Sequence, residues 1–144
     1  VYKRQNLAFF GVATIFLANC SASDRVFTDG RELVTKGRYA DAIPKLQAYL
    51  SASPKGKQAS RAQFFIAKAN IGQGNLAAAR AAFERTKADY PGSLEAHKSQ
   101  YKLAMLDLVE GKRDAALTRF RQLATQPDGP LAPEAKMMVD FLSK

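Results

Sequence analysis

The sequence predicts an all-α superhelix, or solenoid, made of three helix–turn–helix repeats and a C-terminal capping helix. Three observations lead to this prediction. Similar side chains recur at a step of 37 residues, glycines recur at the same step, and Ala, Leu, Lys, Arg and Gln are frequent. These residue types have high helix propensity, while β-branched residues are sparse after the first 20 positions. The length of 144 residues allows one compact domain and not two sizeable ones.

The repeat rests on six sets of residues that agree in size and chemistry. A step of 37 residues falls within the length of repeats that stack into solenoids, in which each repeat contacts its neighbours. The sets divide the chain into units at 24–59, 60–96 and 97–128. Their members are Gly37, Gly74 and Gly111; Ala42, Ala79 and Ala116; Leu46, Phe83 and Phe120; Phe27, Phe64 and Tyr101; Gly30, Ala67 and Ala104; and Pro54 with Pro91, followed one residue early by Pro127.

Each unit has the pattern of a helix, a tight turn and a second helix. Apolar residues recur at helical spacing before the turn, as at Phe64 and Ile71, and after it, as at Leu76 and Phe83. Glycine suits the turn because a helix commonly ends on a residue in the left-handed conformation, which costs other residues energy. The proline after each second helix cannot continue that helix, so it marks the end of the unit.

The last segment, 129–144, predicts the capping helix. Its apolar residues that can share one face are Leu131, Ala135, Met138, Val139 and Leu142. A helix of this kind covers the apolar side that the last repeat of a solenoid leaves open.

Three residues depart from the repeat pattern. Pro44 lies early in the second helix of the first unit, where a proline removes a helical hydrogen bond and distorts the first turns. Asp29 and Asp107 occupy places that are often apolar. The first and third units are therefore expected to be less regular than the second.

The first 20 residues have the features of an export signal. Lys3 and Arg4 precede an apolar run, 7–18, that has the length of a signal-peptide core and is shorter than the roughly 20 residues of a membrane-spanning helix. The stretch that ends at Cys20 resembles the lipobox of bacterial lipoproteins, in which the cysteine is lipidated and becomes the mature N-terminus. Asn19 departs from that pattern, since the residue before the cysteine is usually Gly, Ala or Ser.

This resemblance implies a signal peptide at 1–19, a lipidated Cys20 and a short linker at 20–23. The mature protein is then expected in the cell envelope, held by a lipid anchor at the periplasmic face of the outer membrane. The inner membrane and the soluble periplasm are the alternative locations. The alternative for Cys20 is a buried thiol at the end of a hydrophobic segment.

Over 24–128 the units resemble the tetratricopeptide repeat (TPR). The shared features are a small residue midway along the first helix, a Gly before the second helix, an Ala and a large apolar residue within it, and a closing Pro. The repeat is longer than the usual length of about 34 residues. In this it is similar to the repeats of periplasmic envelope proteins such as BamD and the C-terminal domain of CpoB. The resemblance implies a protein-interaction scaffold or adaptor, and not an enzyme.

The resemblance also implies a curved molecule whose first helices line a concave face. The residues expected on this face are Phe27, Arg31, Arg61, Phe64, Lys68, Lys98, Tyr101 and Met105. Because aromatic groups supply apolar contact area and cations attract acidic groups, we expect the face to bind a peptide segment of acidic character. The alternative is that the rings pack between the units and the cations only keep the surface solvated.

Composition and residue counts argue against other classes of function. The formal net charge is +9, but no run of five Lys or Arg residues occurs, so nucleic acid is not an expected partner. One Cys and one His cannot form an internal disulfide or a structural zinc site. No catalytic motif or phosphate-binding loop is present, and no catalytic residue, metal or cofactor is predicted.

Two functions remain open from the sequence. The first is an envelope adaptor that holds an exchangeable partner protein. The second is a structural subunit of an outer-membrane or periplasmic complex, packed permanently and without a client. A salt-sensitive interaction favours the first, and a large exposed apolar patch with a stable oligomer favours the second. The sequence leaves the oligomeric state open.

Overall fold

A computed structural model describes the backbone of residues 9–126 and 129–144, and their side chains from residue 22 onward. Within those ranges the chain forms seven α-helices and no strand. The helices are α1 (Phe9–Thr35), α2 (Tyr39–Ala52), α3 (Ala59–Gly72), α4 (Leu76–Asp89), α5 (Leu94–Val109), α6 (Arg113–Ala124) and α7 (Ala132–Leu142). None of the helices described here combines the length and the apolar composition needed to cross a membrane.

The helices pack in the order in which they follow one another along the chain. α1 packs with α2, α3 with α4 and α5 with α6, and each pair also packs against the first helix that follows it. The first helices α1, α3 and α5 touch their neighbours directly as well. This arrangement is an all-α superhelix of two-helix units, and it confirms the predicted fold class.

The turns inside the three units share one backbone conformation. Gly37, Gly74 and Gly111 have φ angles of 74°, 75° and 76°, in the left-handed region where glycine carries no steric cost. In the second unit, the Asn75 side chain also accepts a hydrogen bond from an amide in the first turn of α4. Each turn therefore ends one helix and starts the next, so the two helices of a unit lie antiparallel.

Inside each unit, a large side chain on the first helix meets one on the second. The ring centroids of Phe64 and Phe83 are 5.5 Å apart, and those of Tyr101 and Phe120 are 5.2 Å apart. In the first unit a Cβ added to Gly30 would come within 2.8 Å of the Leu46 side chain. The close approach of α1 and α2 therefore depends on the absence of a side chain at residue 30.

The core consists of two hydrophobic clusters along the superhelix. The first includes Tyr49 and Phe83 and draws its members from α1 to α5. The second includes Phe120 and lies among α5, α6 and α7. α7 contributes the buried residues Ala135 and Leu142, so it packs onto the side of α6 where the sequence predicts a capping helix.

α1 is longer than the first helices of the other units. It runs without a break from Phe9 to Thr35, so the segment 20–23 that the sequence predicts as a linker is helical. Residues 1–8 of the predicted signal peptide, the side chain of Cys20 and the proline at 127 lie outside what the structure describes.

Candidate protein-binding face

The aromatic residues predicted on the concave face are used mainly for packing. Phe27 is only 4% exposed, and its ring centroid lies 5.6 Å from that of Tyr49 and 6.3 Å from that of Phe65. Phe64 and Tyr101 are half-buried and pack against rings on the second helices of their own units. A ligand could therefore reach only the partly exposed rings, and Phe27 belongs to the core.

Two of the predicted cations lie over aromatic rings. The guanidinium carbon of Arg61 is 5.7 Å from the ring centroid of Phe27, and the Nζ of Lys68 is 5.3 Å from the ring centroid of Phe65. Arg61 also donates a hydrogen bond of 3.0 Å to the Oε1 of Gln58. These distances lie within the range of a cation–π attraction, which holds each charge beside a ring at the surface.

Phe65 is a residue of this site that the sequence analysis did not include. Its half-buried ring lies 6.3 Å from that of Phe27 and 6.4 Å from that of Phe64. Arg61, Phe65 and Lys68 follow at intervals of four and three residues, so they share one side of α3. That spacing is visible in the sequence, but the concave positions implied by the family resemblance omit residue 65.

The other predicted residues lie on the neighbouring first helices. Arg31 is exposed on α1, and Lys98 is half-buried on α5. Tyr101 and Met105 are half-buried and pack against the second hydrophobic cluster. These two residues therefore belong to a packing group separate from the rings around Arg61.

The cations on the first helices lack acidic partners. We define the basic face as Arg31, Arg61, Lys68, Lys98 and Lys102 of α1, α3 and α5. None of the five forms an ion pair with a carboxylate among the described residues, and the same holds for Arg85 and Arg121 on the second helices. The basic face therefore carries five positive charges that are not held in close ion pairs, and such a group of charges attracts anionic groups.

A separate ionic cluster connects the second and third units. Asp107 on α5 is 3% exposed, and its carboxylate lies 2.8 Å from Arg80 of α4 and 2.8 Å from the Nε of Arg119 of α6. Arg80 also lies 3.0 Å from Glu110, and Arg119 lies 3.4 Å from Glu84. The cluster joins three consecutive helices, which is a structural role.

The ionic cluster favours the charged forms of its members. The pKa of Glu110 lies below its usual value because this carboxylate accepts hydrogen bonds from Lys112 and Arg80. Burial acts to lower the pKa of Arg80, but hydrogen bonds to Glu110 and Asp107 act in the opposite direction and the pKa is raised. Both groups are therefore charged at neutral pH. Among the described residues, the ionic cluster included, no group of three or more His, Cys, Asp or Glu side chains could hold a metal ion.

Comparison with known families finds one similarity, within the first two repeat units. A family model described as tetratricopeptide repeat matches residues 27–93. Over these residues the chain is similar to tetratricopeptide repeats. The match extends from the second half of α1 to the turn before α5, and the TPR pattern continues in α5 and α6 at the same step of 37 residues.

The similarity to TPR proteins bears on the class of function. Repeats of this family generally mediate protein–protein interactions, and the proteins that carry them are generally scaffolds without catalytic activity. A search of curated proteins found no match to this chain.

Proposed function

We propose that this chain is a protein-interaction scaffold of the bacterial cell envelope, and that its basic face binds an acidic segment of a partner protein. The observation that carries the proposal is the set of five cations on the first helices, two of which lie over aromatic rings. Repeats that generally bind proteins, together with an unneutralised surface charge, support a partner of opposite charge.

Binding combines electrostatic attraction with apolar contact. Carboxylates of the partner approach Arg61 and Lys68, whose charges already lie beside the rings of Phe27 and Phe65. Because these cations are held in place, they lose less side-chain entropy when the partner binds. The partly exposed rings of Phe64 and Phe65 add apolar contact area. The attraction is screened by salt, so affinity falls as ionic strength rises.

The location in the envelope rests on the first 20 residues. Lipidation of Cys20 supplies the proposed anchor at the periplasmic face of the outer membrane. When cells are grown with labelled fatty acid, we expect the native chain to carry the label and the Cys20→Ala variant to lack it. Equal labelling of the two chains, or labelling of neither, contradicts the anchor.

Charge reversal tests the basic face. In capture from envelope extracts, the Arg61→Glu/Lys68→Glu variant is expected to lose a partner protein that the native chain retains. The Arg85→Glu/Arg121→Glu variant is the matched control, because it makes the same change in net charge at exposed positions on the second helices α4 and α6. Equal loss in both variants, or loss in neither, contradicts the proposal.

The alternative is a structural subunit packed permanently into an envelope complex. It is favoured by the exposed apolar side chains of α7, since Met137 is 64% exposed and Phe141 is 71% exposed. A partner that exchanges within minutes and is released by salt supports the adaptor, whereas a complex that survives salt supports the structural subunit.

A further inference from the structure

The outer face of α7 carries two large apolar side chains that no described residue covers. Met137 is 64% exposed and Phe141 is 71% exposed. The two residues are four positions apart on the helix, so their side chains are neighbours on one face. Ala135 and Leu142 are buried among the residues of the second hydrophobic cluster. α7 therefore has one face in the core and a second apolar patch open to solvent.

The repeat explains this open patch, because α7 has the place of the first helix of a fourth unit. α7 packs onto α6 as α3 packs onto α2 and α5 onto α4. The correspondence continues at a step one residue shorter than before. The buried sets that match are Ala62, Ser99 and Ala135, and likewise Ala69, Leu106 and Leu142.

By the same step, Met137 corresponds to Phe64 and Tyr101. Those two rings pack against Phe83 and Phe120 on the second helix of their own units. Met137 thus occupies a place that the second helix partly covers in the units before it, whereas Phe141 corresponds to the half-buried Met105 and the exposed Lys68.

The exposed residues around this patch form a stripe that has a negative charge at one end and a positive charge at the other. Glu134, Met137, Phe141 and Lys144 follow at intervals of three, four and three residues, and all four are exposed. This spacing is that of a seam between two helices. Glu134 lies in the first turn of α7, and Lys144 lies just beyond its end. We call these four residues the α7 stripe.

We propose that the α7 stripe pairs antiparallel with the α7 stripe of a second copy of this chain. The midpoint between Met137 and Phe141 is also the midpoint between Glu134 and Lys144. An antiparallel pair about a two-fold axis at that point sets each Met137 against Phe141 of the other copy. It also sets each Glu134 against Lys144 of the other copy, so both ends of the interface carry opposite charges.

This charge pattern is the reason for choosing a second copy as the occupant. The formal net charge of +9 opposes self-association in general. The exposed charges of α7 that lie on or beside the stripe are Glu134, Lys136, Asp140 and Lys144, which sum to zero. The outer face of α7 is therefore a neutral patch on a basic molecule. The inference does not depend on the proposed function of the basic face.

The dimer is expected to be weak and reversible. α7 has 11 residues, so the helix pair is about 16 Å long and buries less area than the roughly 1,200 Å² of a stable standard interface. We expect the dimer to have a dissociation constant of tens of micromolar, to within about a factor of ten.

The test is sedimentation velocity of the 144-residue chain in a mild non-ionic detergent, over about 1 to 500 µM protein. Four forms are compared: the native chain, Glu134→Lys, Lys144→Glu, and the double variant Glu134→Lys/Lys144→Glu. Each single variant places like charges together at both ends of the interface, so its dissociation constant is expected to rise about tenfold. The double variant restores opposite charges and is expected to return to the native constant.

The double variant separates the dimer from effects inside α7. Both reversals oppose the helix dipole, so their effects on helix stability add and cannot restore the native constant. Phe141→Glu is expected to abolish the dimer, and Val109→Glu is the control, since Val109 is 70% exposed on α5. Circular dichroism of each variant checks that the helices remain.

Several results would overturn the proposal. A native chain that is monomeric throughout leaves the α7 stripe to some other occupant. A dimer that none of these substitutions weakens forms through another surface. A double variant as weak as the single variants excludes the antiparallel pairing.

Discussion

Asp107 shows how one buried side chain can hold two repeats together. Its carboxylate forms ion pairs with Arg80 of the unit before it and with Arg119 on the second helix of its own unit. The nitrogen–oxygen distance is 2.8 Å in each pair. A buried carboxylate is stable only when it is paired and hydrogen-bonded, and the two arginines meet that requirement. The residue that the sequence marks as an irregularity of the third unit is therefore an inter-repeat contact.

Removing this carboxylate is expected to destabilise the fold. Asp107→Ala leaves Arg80 and Arg119 without their shared partner, although each side chain is about a quarter exposed and can be partly solvated. We expect the free energy of unfolding, measured by urea titration, to fall by about 2–3 kcal/mol. Asp29→Ala is the control, because it breaks an exposed pair of 3.8 Å with Lys45 and should cost less than about 0.5 kcal/mol. Equal costs would show that Asp107 contributes no more than a surface charge.

Glu110 gives the cluster a dependence on pH. Its pKa is lower in the folded chain than the ordinary value of 4.5, because it accepts hydrogen bonds from Lys112 and Arg80. A lowered folded pKa stabilises the protein above the unfolded pKa, and this contribution is lost as the pH falls through the folded pKa. The native chain should therefore unfold at higher urea than Glu110→Gln at pH 7, and the difference should shrink as the pH is lowered below 4.5. A difference that is constant over this range contradicts the assignment.

Residue-scale features such as the ionic cluster were only partly predictable. The sequence shows Asp107 in a place that is often apolar, but the repeat pattern does not indicate which residues pair with it. Leu117 stands 37 residues after Arg80, and Ala82 stands 37 residues before Arg119, so neither arginine recurs. A contact made by residues unique to one unit leaves no periodic signal.

At the scale of single elements, the glycine turns are the part of the fold that the sequence determines most directly. The three predicted turn glycines all have φ near +75°, where a Cβ costs energy even though no atom lies within 4 Å of it. Pro44 is a case where the sequence was a poorer guide. It was expected to distort the first turns of the second helix, but α2 forms over Tyr39–Ala52 with Pro44 inside it. Ala40, whose carbonyl loses its helical partner, and Pro44 are both exposed, so water can satisfy that carbonyl.

A substitution at the turn measures this conformational cost. Gly74→Ala is expected to lower the free energy of unfolding by about 1 kcal/mol, because alanine disfavours the left-handed region. Gly74→Asn should cost less, since asparagine tolerates that region better. Gln73→Ala, at the preceding exposed residue with φ of −83°, should change stability by less than about 0.5 kcal/mol. A Gly74→Ala variant as stable as the native chain contradicts the account of the turn.

For the molecule as a whole, periodicity predicted the order of the helices and the pairing within units, because each repeat must bury its apolar face against its neighbours. It did not separate core from surface on the first helices. Phe27 matches Phe64 and Tyr101 in the repeat, yet its ring is almost fully buried beneath Arg61. Nor did it show that Met137 and Phe141 are left open on α7, since a pattern identifies an apolar face and not its partner.

The central claim is that partners bind at the basic face, and site-specific photo-crosslinking in living cells tests it most directly. A photoreactive amino acid is placed at residue 98 on α5 and, as the control, at exposed residue 121 on α6. We predict that the residue 98 variant crosslinks to a distinct envelope protein, that the residue 121 variant does not, and that Arg61→Glu/Lys68→Glu removes the crosslink. A crosslink that forms equally from both positions, or one that survives the charge reversal, would contradict binding at the basic face.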